Sequence, residues 1–390
     1  MPLPLAQIVT VAVSYFALFS VPKLLRLGQP HFHPHACSNL EAALAANLRG
    51  QDDAAREIAS AICDHLADPA PQRPLAISLH GPPGVGKSLF HLLAARALYG
   101  LSRPGELRAC PGSSCPGYDV VYGVDFAPGA EGDAQWRAVS ERLRQHMQDY
   151  PESLVVLEEY DRMPCQARRV LRRLIDHGRA LNATAPRSIV ILESNLGLGL
   201  VQKLASGLRA GTVTREASQR ALKELVFERW TGGDAAGAQC QDDGGGLGDD
   251  GETARALSMV RHFVPFLPLD RDAVREIARM ELDVWARELR QRVGLALSWP
   301  RELEAWIAAR VEYAGEFSVE GGREVAPLVT RYVSVAIRRE LARHGLSLNV
   351  KPRDRQPQRG TVELTVADRN TVRAHVRMGA ARVAGRAPEL

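Results

Sequence analysis

The sequence predicts an α/β chain built on a parallel sheet with helices on its faces. Three observations carry that reading. Short apolar runs that suit buried strands (75–80, 154–157, 188–192) alternate with stretches of helical periodicity (39–65, 89–99, 136–147, 168–175). A glycine-rich turn at 81–88 joins the first of those strands to a helix. Acidic and polar residues close the later strands, at the edge where ligands bind in open α/β sheets.

Composition narrows the class. The 390 residues suffice for about two or three domains and can bury a sizeable core. With 24% charged and 45% hydrophobic residues, the chain is not of disordered, collagen-like or polytopic membrane type. A net charge of +4 argues against a dedicated nucleic-acid binder. Six cysteines are too few for a disulfide scaffold.

In chain order, no side chain is charged before Lys23. Residues 5–21 are apolar apart from Gln7, Thr10, Ser14 and Ser20. That stretch approaches the about 20 residues of a spanning helix. It lacks the basic start and small-residue cleavage site of a signal peptide. We expect an uncleaved anchor, or a segment lying in one leaflet, giving peripheral membrane contact. Lys23 and Arg26 follow and, by the positive-inside rule alone, place the rest in the cytosol. Residues 29–37 read as a linker whose histidines (His31, His33, His35) are solvated. Tyr118 to Asp125 is β-rich. The Gly/Asp-rich stretch 231–252 reads as a disordered surface insertion. After Leu269 the pattern is mostly helical, and two alternating runs, Val362-Leu364-Val366 and Val372-Ala374-Val376, form a candidate hairpin.

Chemistry concentrates at Gly81-Pro82-Pro83-Gly84-Val85-Gly86-Lys87-Ser88, with Leu89 behind it. This is G-x-x-x-x-G-K-[ST] in its required strand–helix context. Glycines let backbone N–H groups curl around phosphate oxygens, and the helix start adds partial positive charge. Lys87 would reach the β- and γ-phosphates and Ser88 would ligate Mg²⁺. The strand at 154–157 ends in Glu158-Glu159. Glu158 is the candidate Mg²⁺ ligand and Glu159 the candidate general base. The strand at 188–192 runs into Glu193-Ser194-Asn195, where Asn195 is the candidate sensor of the γ-phosphate and attacking water.

Loop, double acidic strand and polar strand end, in that order, resemble the AAA+ ATPase pattern. Three further segments sharpen the likeness. The stretch 39–51 resembles the opening of Clp-type ATPases. Residues 74–81 and 157–163 resemble torsin motifs, with Glu158 where torsins carry Asp. Phe263-Val264-Pro265-Phe266-Leu267-Pro268-Leu269 resembles the torsin junction between large and small subdomains, and Phe317-Ser318 followed by Gly321-Gly322-Arg323 resembles the torsin second-sensor segment. The chain is thus identified as similar to the torsin family over about 38–335, outside the insertion.

The resemblance implies an AAA+ large subdomain with a smaller, mostly helical C-terminal subdomain. The expected division is 1–37 (membrane-association segment and linker), 38–269 (nucleotide binding, with the 231–252 insertion) and 270–390 (small subdomain with the hairpin). It implies ATP and Mg²⁺ as cofactors, a ring or helical homo-oligomer, and work on proteins or membrane complexes in the endoplasmic reticulum and nuclear envelope lumen. It also implies a membrane-anchored activator that supplies an arginine. In Clp-type ATPases that arginine lies just before the junction; here the position falls on Met259, between Arg255 and Arg261. Weak turnover of the isolated chain follows. Arg323 keeps the basic second sensor, while Gly322 replaces a frequent cysteine. Residues 126–132 carry no Gly-Tyr-Val-Gly-like gripping loop, and Tyr118 and Tyr122 read as packing residues. The basic extension at 336–390 reads as a solvated tail.

The sequon Asn182-Ala183-Thr184 and the pair Cys110 and Cys115 fit a lumenal location, although a reduced cytoplasmic pair fits equally well. A self-sufficient Clp-type unfoldase and a non-hydrolysing ATP-responsive scaffold are the alternatives.

Overall fold

The computed structural model describes residues 31–100, 115–125, 130–163, 174–175, 185–231, 257–348, 360–368 and 370–378. Strands β1 (Leu75–His80), β2 (Tyr118–Tyr122), β3 (Leu154–Glu158), β4 (Ile189–Ser194) and β5 (His262–Pro265) form one sheet. Their order is β2-β3-β4-β1-β5, and every neighbouring pair is parallel. Parallel neighbours need crossover connections. Helices α1 (Ala36–Asn47) and α2 (Asp52–Ala67) precede β1; α3 (Lys87–Leu98) lies between β1 and β2, α4 (Ala130–Asp149) between β2 and β3, and α5 (Leu198–Arg209) and α6 (Arg215–Thr231) between β4 and β5. The expected α/β class with a helix-flanked parallel sheet is borne out.

Strand alternation divides the core between the two faces. Ile77, Leu79, Leu154, Val156, Ile189 and Ile191 join Phe90 and Leu98 of α3 on one side. Val155, Leu157, Val190 and Leu192 join Leu143 and Met147 of α4 on the other. Burial on both faces explains why these strands read as unbroken apolar runs. The register pairs His80 with Ser194 and Leu157 with Leu192. The candidate site residues that follow β1, β3 and β4 therefore emerge at one edge.

Beyond the sheet, α7 (Arg271–Val293) is capped by the Asp270 carboxylate, which accepts from the Ala273 N–H at 2.8 Å. It ends at Gly294 in the left-handed conformation. Helices α8 (Arg301–Ala308), α9 (Val325–Val329) and α10 (Val335–Arg343) follow. Strands β6 (Ala296–Ser298), β9 (Gly360–Val366) and β10 (Val372–Met378) make a second sheet, and β7 (Tyr313–Ala314) pairs with β8 (Phe317–Ser318).

The C-terminal extension corrects the expectation of a solvated tail. The hairpin forms with Val366 opposite Val372, Leu364 opposite Ala374 and Val362 opposite Val376. Val362 and Leu364 are buried against the rest of the small sheet and its helices. Alternation put apolar side chains on one face, and burial of that face holds the hairpin in place.

Residues 31–37, expected as linker, are also packed. Phe32 is buried, and its N–H donates to Glu152 Oε2 at 2.6 Å. The His33 N–H donates to the Leu98 carbonyl at 2.6 Å, and α1 begins at Ala36. His31 and His35 are exposed, as expected. Tyr122 is 45% exposed, so only Tyr118 acts as a packing residue. Residues 123–125 form a 3-10 turn rather than extended strand. Cys37 and Cys63 form a disulfide between α1 and α2, which the sequence reading missed. Cys115 is also disulfide-bonded; Cys110, its expected partner, lies outside the described residues. So do the apolar segment 5–21, residues 232–252 of the expected insertion, Asn182 and most of the 168–175 helix; Thr231 ends α6. Among the described residues no helix is long and apolar enough to cross a membrane.

Candidate functional site

The loop 81–86 leaves β1 and delivers Lys87 and Ser88 as the first residues of α3. Gly84 shows why this turn needs glycine: its φ is +76°, and a Cβ there would lie 2.0 Å from the Glu320 carbonyl oxygen. The loop thus touches the turn that carries Arg323, and the Gly322 N–H donates to the Gly84 carbonyl at 2.9 Å.

Lys87 is buried. Its ammonium donates to the carbonyls of Gly81 (2.8 Å) and Pro82 (2.9 Å) and to Asn195 Oδ1 (2.9 Å). Burial lowers its pKa; Glu193 opposes that shift, and the Arg323 charge adds to it. Asn195 stands just past β4, and its Nδ2 donates to Glu159 Oε1 at 3.4 Å. Lys87, Asn195 and Glu159 therefore form a chain of contacts across three elements.

Glu159 has a φ of +51°, the single positive value for a non-glycine among the described residues. That conformation costs about 1–2 kcal/mol for an L residue. It turns the chain abruptly after β3, and Tyr160, wholly buried, anchors the turn through a 3.0 Å hydrogen bond between its hydroxyl and Ser78 Oγ. Glu159 Oε2 pairs with Arg162 Nε at 3.2 Å.

Ser88 and Glu158 do not meet directly in the way the sequence pattern suggests. Ser88 Oγ donates to Glu193 Oε1 at 3.0 Å. Glu158 Oε1 lies 2.9 Å from His91 Nε2. His91 sits between the two carboxylates, 3.5 Å from Glu193 Oε2, and its Nδ1 meets the Tyr118 hydroxyl at 2.7 Å. Burial alone would lower the His91 pKa, but hydrogen bonds and charge from Glu158 and Glu193 raise it above the ordinary imidazole value. Sequence reasoning missed both Glu193 and His91. The signal was present: Glu193 lies in the strand-end segment that supplies Asn195, and His91 follows Ser88 by three residues, on the same helical face.

The donor sets fit the expected ligands. Ser88, Glu158 and Glu193 offer the hard oxygens that Mg²⁺ takes. Gly84 and Gly86 are both left-handed, the conformation that lets a loop turn backbone N–H groups toward an anion, and Lys87 follows them directly. Leu89 is 41% exposed on the first turn of α3. Met259 is partly buried against the sheet face that holds Val190 and Leu192.

The sequence is similar to that of known proteins. A family profile described as Torsin matches residues 30–105. The chain is 24% identical to a torsin-like protein of Drosophila melanogaster over 294 residues, covering 74% of this chain and 80% of that one. It is 26% identical to a torsin-like protein of Caenorhabditis elegans, covering 60% and 61%.

The chain is similar to the torsin family.

The wider relationship is to the Clp-type AAA+ ATPases. The probable chaperone protein ClpB 1 of Chlorobaculum tepidum is 24% identical over 69% of this chain and 57% of its own length. The chain is thus similar to AAA+ ATPases in sequence and has a helix-flanked parallel sheet, with the candidate phosphate loop at the edge where the candidate site residues converge.

Proposed function

We propose that this chain binds ATP with Mg²⁺ and uses its hydrolysis to remodel proteins or membrane complexes in the lumen of the endoplasmic reticulum and nuclear envelope. The observation that carries the reading is the Lys87–Asn195–Glu159 chain of contacts, which supports a phosphate-facing lysine, a sensor and a base acting on one ligand. Lys87 would offset β/γ-phosphate charge. Ser88 with Glu158 would hold Mg²⁺, which neutralises charge on the phosphate oxygens when bound. Glu159 would accept the proton of the attacking water, and Asn195 would orient that water. Arg323, on the turn that touches Gly84, would sense the nucleotide from the smaller subdomain (270–390), facing the nucleotide-binding subdomain (38–269).

A homo-oligomer and a membrane-anchored activator belong to this reading. Met259 supplies no charge where Clp-type ATPases carry their finger, and an arginine in trans is worth about 10³–10⁵ in rate. The Cys37–Cys63 disulfide supports an oxidising compartment, and residues 5–21 would hold the chain at the membrane. The test is turnover by purified protein. Slow hydrolysis alone, and ATP-trapped partner capture by Glu159→Gln, support the reading; fast turnover without a partner refutes the activator.

One observation favours a second reading, a scaffold that responds to ATP without hydrolysing it. Both acidic side chains are engaged by protein groups, Glu158 by His91 and Glu159 by Arg162. In a scaffold, Glu159→Gln leaves nucleotide occupancy and partner capture unchanged.

A further inference from the structure

We propose that His91, Glu158 and Glu193 form a binding site for a first-row transition-metal dication, the class of Mn²⁺ and Zn²⁺, that fills without nucleotide. The three side chains come from three elements: α3, the end of β3 and β4. Their ligand atoms all lie within 4.8 Å of one another. His91 Nε2 is 2.9 Å from Glu158 Oε1 and 3.5 Å from Glu193 Oε2. Two donors bound at about 2.0–2.2 Å to a tetrahedral or octahedral ion sit about 2.9–3.5 Å apart. The two pairs that include His91 already have that spacing, and the two carboxylates lie within 4.8 Å of each other.

Donor chemistry selects the ion. Mg²⁺ takes oxygen ligands and keeps several waters. An imidazole nitrogen beside two carboxylates favours ions higher in the Irving–Williams order. The surroundings are arranged as around a ligated imidazole. The Tyr118 hydroxyl lies 2.7 Å from Nδ1; in the tautomer in which it accepts Nδ1–H, the Nε2 lone pair is left to the ion. Ser88 Oγ, donating at 3.0 Å, fixes the Glu193 carboxylate from its other side. His91 is 4% exposed and Glu193 7%. The Glu158 and Glu193 carboxylates, the first only half-buried, carry like charge on either side of His91 Nε2, and a dication there would offset both. The site goes beyond the proposed ATPase activity and rests on that reading only where Ser88 and Glu158 would set the ion beside the phosphates.

The test uses the full chain, stripped with a chelator and free of nucleotide, titrated with Mn²⁺ and then competed with Zn²⁺. The expected result is one Mn²⁺ per chain, displaced by Zn²⁺, with ¹⁴N coupling in the pulsed EPR spectrum of the bound ion. His91→Gln should abolish the coupling and weaken Mn²⁺ binding at least about tenfold, since even outer-shell changes cost that much. Glu193→Gln should weaken binding similarly and keep the coupling. A wild-type spectrum without ¹⁴N coupling, coupling that survives His91→Gln, or Mn²⁺ binding only with ATP overturns the proposal. The wild-type spectrum decides even where a variant misfolds. Binding of a fluorescent ATP analogue in Mg²⁺ is measured beside it. Nucleotide binding without Mn²⁺–nitrogen coupling sinks the metal site and leaves the ATPase reading standing, and the converse result does the reverse.

Discussion

The N–H of Gly322 donates to the carbonyl of Gly84 at 2.9 Å, which ties the nucleotide loop to the turn bearing Arg323. The contact is close because both strands of it are glycine. Gly321 has a φ of +61°, and a Cβ there would lie 2.4 Å from the Gly84 carbonyl oxygen. Gly321→Ala should therefore push the turn away from the loop. We expect a stability loss of about 1–3 kcal/mol, from left-handed strain and backbone displacement together, and weaker ATP binding. Chemical unfolding and nucleotide titration of one sample measure both. A variant with unchanged affinity would show that the loop works independently of the Arg323 turn.

Lys87→Ala should cost on two counts. The variant loses a charge-assisted bond to phosphate, worth about 1.5–3 kcal/mol, so ATP affinity should fall at least about tenfold. It also leaves the Gly81 and Pro82 carbonyls and Asn195 Oδ1 without their donor. A fall of about 1–3 kcal/mol in nucleotide-free stability should follow. Calorimetry without and with ATP separates the two effects.

How far the sequence foretells this architecture depends on the range of the interaction. Leu154–Glu158 and Ile189–Ser194 were readable because a strand buried on two faces needs an apolar run, and the loop 81–88 because its glycines answer a local demand. The hairpin was readable from alternation alone. What was not readable is the partnering across elements. Nothing local pairs Ser88 with Glu193, 105 residues apart, or inserts His91 between two carboxylates. Phe32 looked like linker because its pocket is made by distant chain, including Glu152. The Cys37–Cys63 bond was invisible for the same reason, since the fold and not the spacing brings α1 beside α2.

That disulfide closes a loop with a sequence separation of 26. The chain-entropy relation gives about 3.5 kcal/mol of stabilisation for a loop of this length. Cys37→Ala with Cys63→Ala should therefore lower the unfolding free energy by about 2–4 kcal/mol, as should reductant on the wild type. Reductant added to the double variant should remove no more than the share belonging to the Cys115 disulfide. Urea unfolding under both conditions makes the comparison.

His80 ends β1 and is wholly buried beneath the nucleotide loop, its Nε2 2.8 Å from Ser78 Oγ and its ring stacked on Phe263. Burial, reinforced by the Lys87 charge, lowers its pKa from 6.5 to about 3. The folded chain thus keeps His80 neutral at a pH where the unfolded chain protonates it. The unfolded state binds more protons, so stability rises with pH between about 3 and 6.5 and is lost on acidification through that window. From pH 7.5 to 5 the loss from this one group is about 2 kcal/mol, at 1.36 kcal/mol per unit. His91 works in the opposite sense, because its folded pKa is raised: its contribution is present below 6.5 and fades as pH rises through the folded value. A bare pH profile mixes the two, so the informative quantity is the difference between wild type and His80→Gln, which retains a hydrogen-bonding end but no titration. That difference should move by about 2 kcal/mol against the wild type between pH 7.5 and 5 in urea unfolding. A difference independent of pH would mean that His80 titrates alike in the folded and unfolded chain.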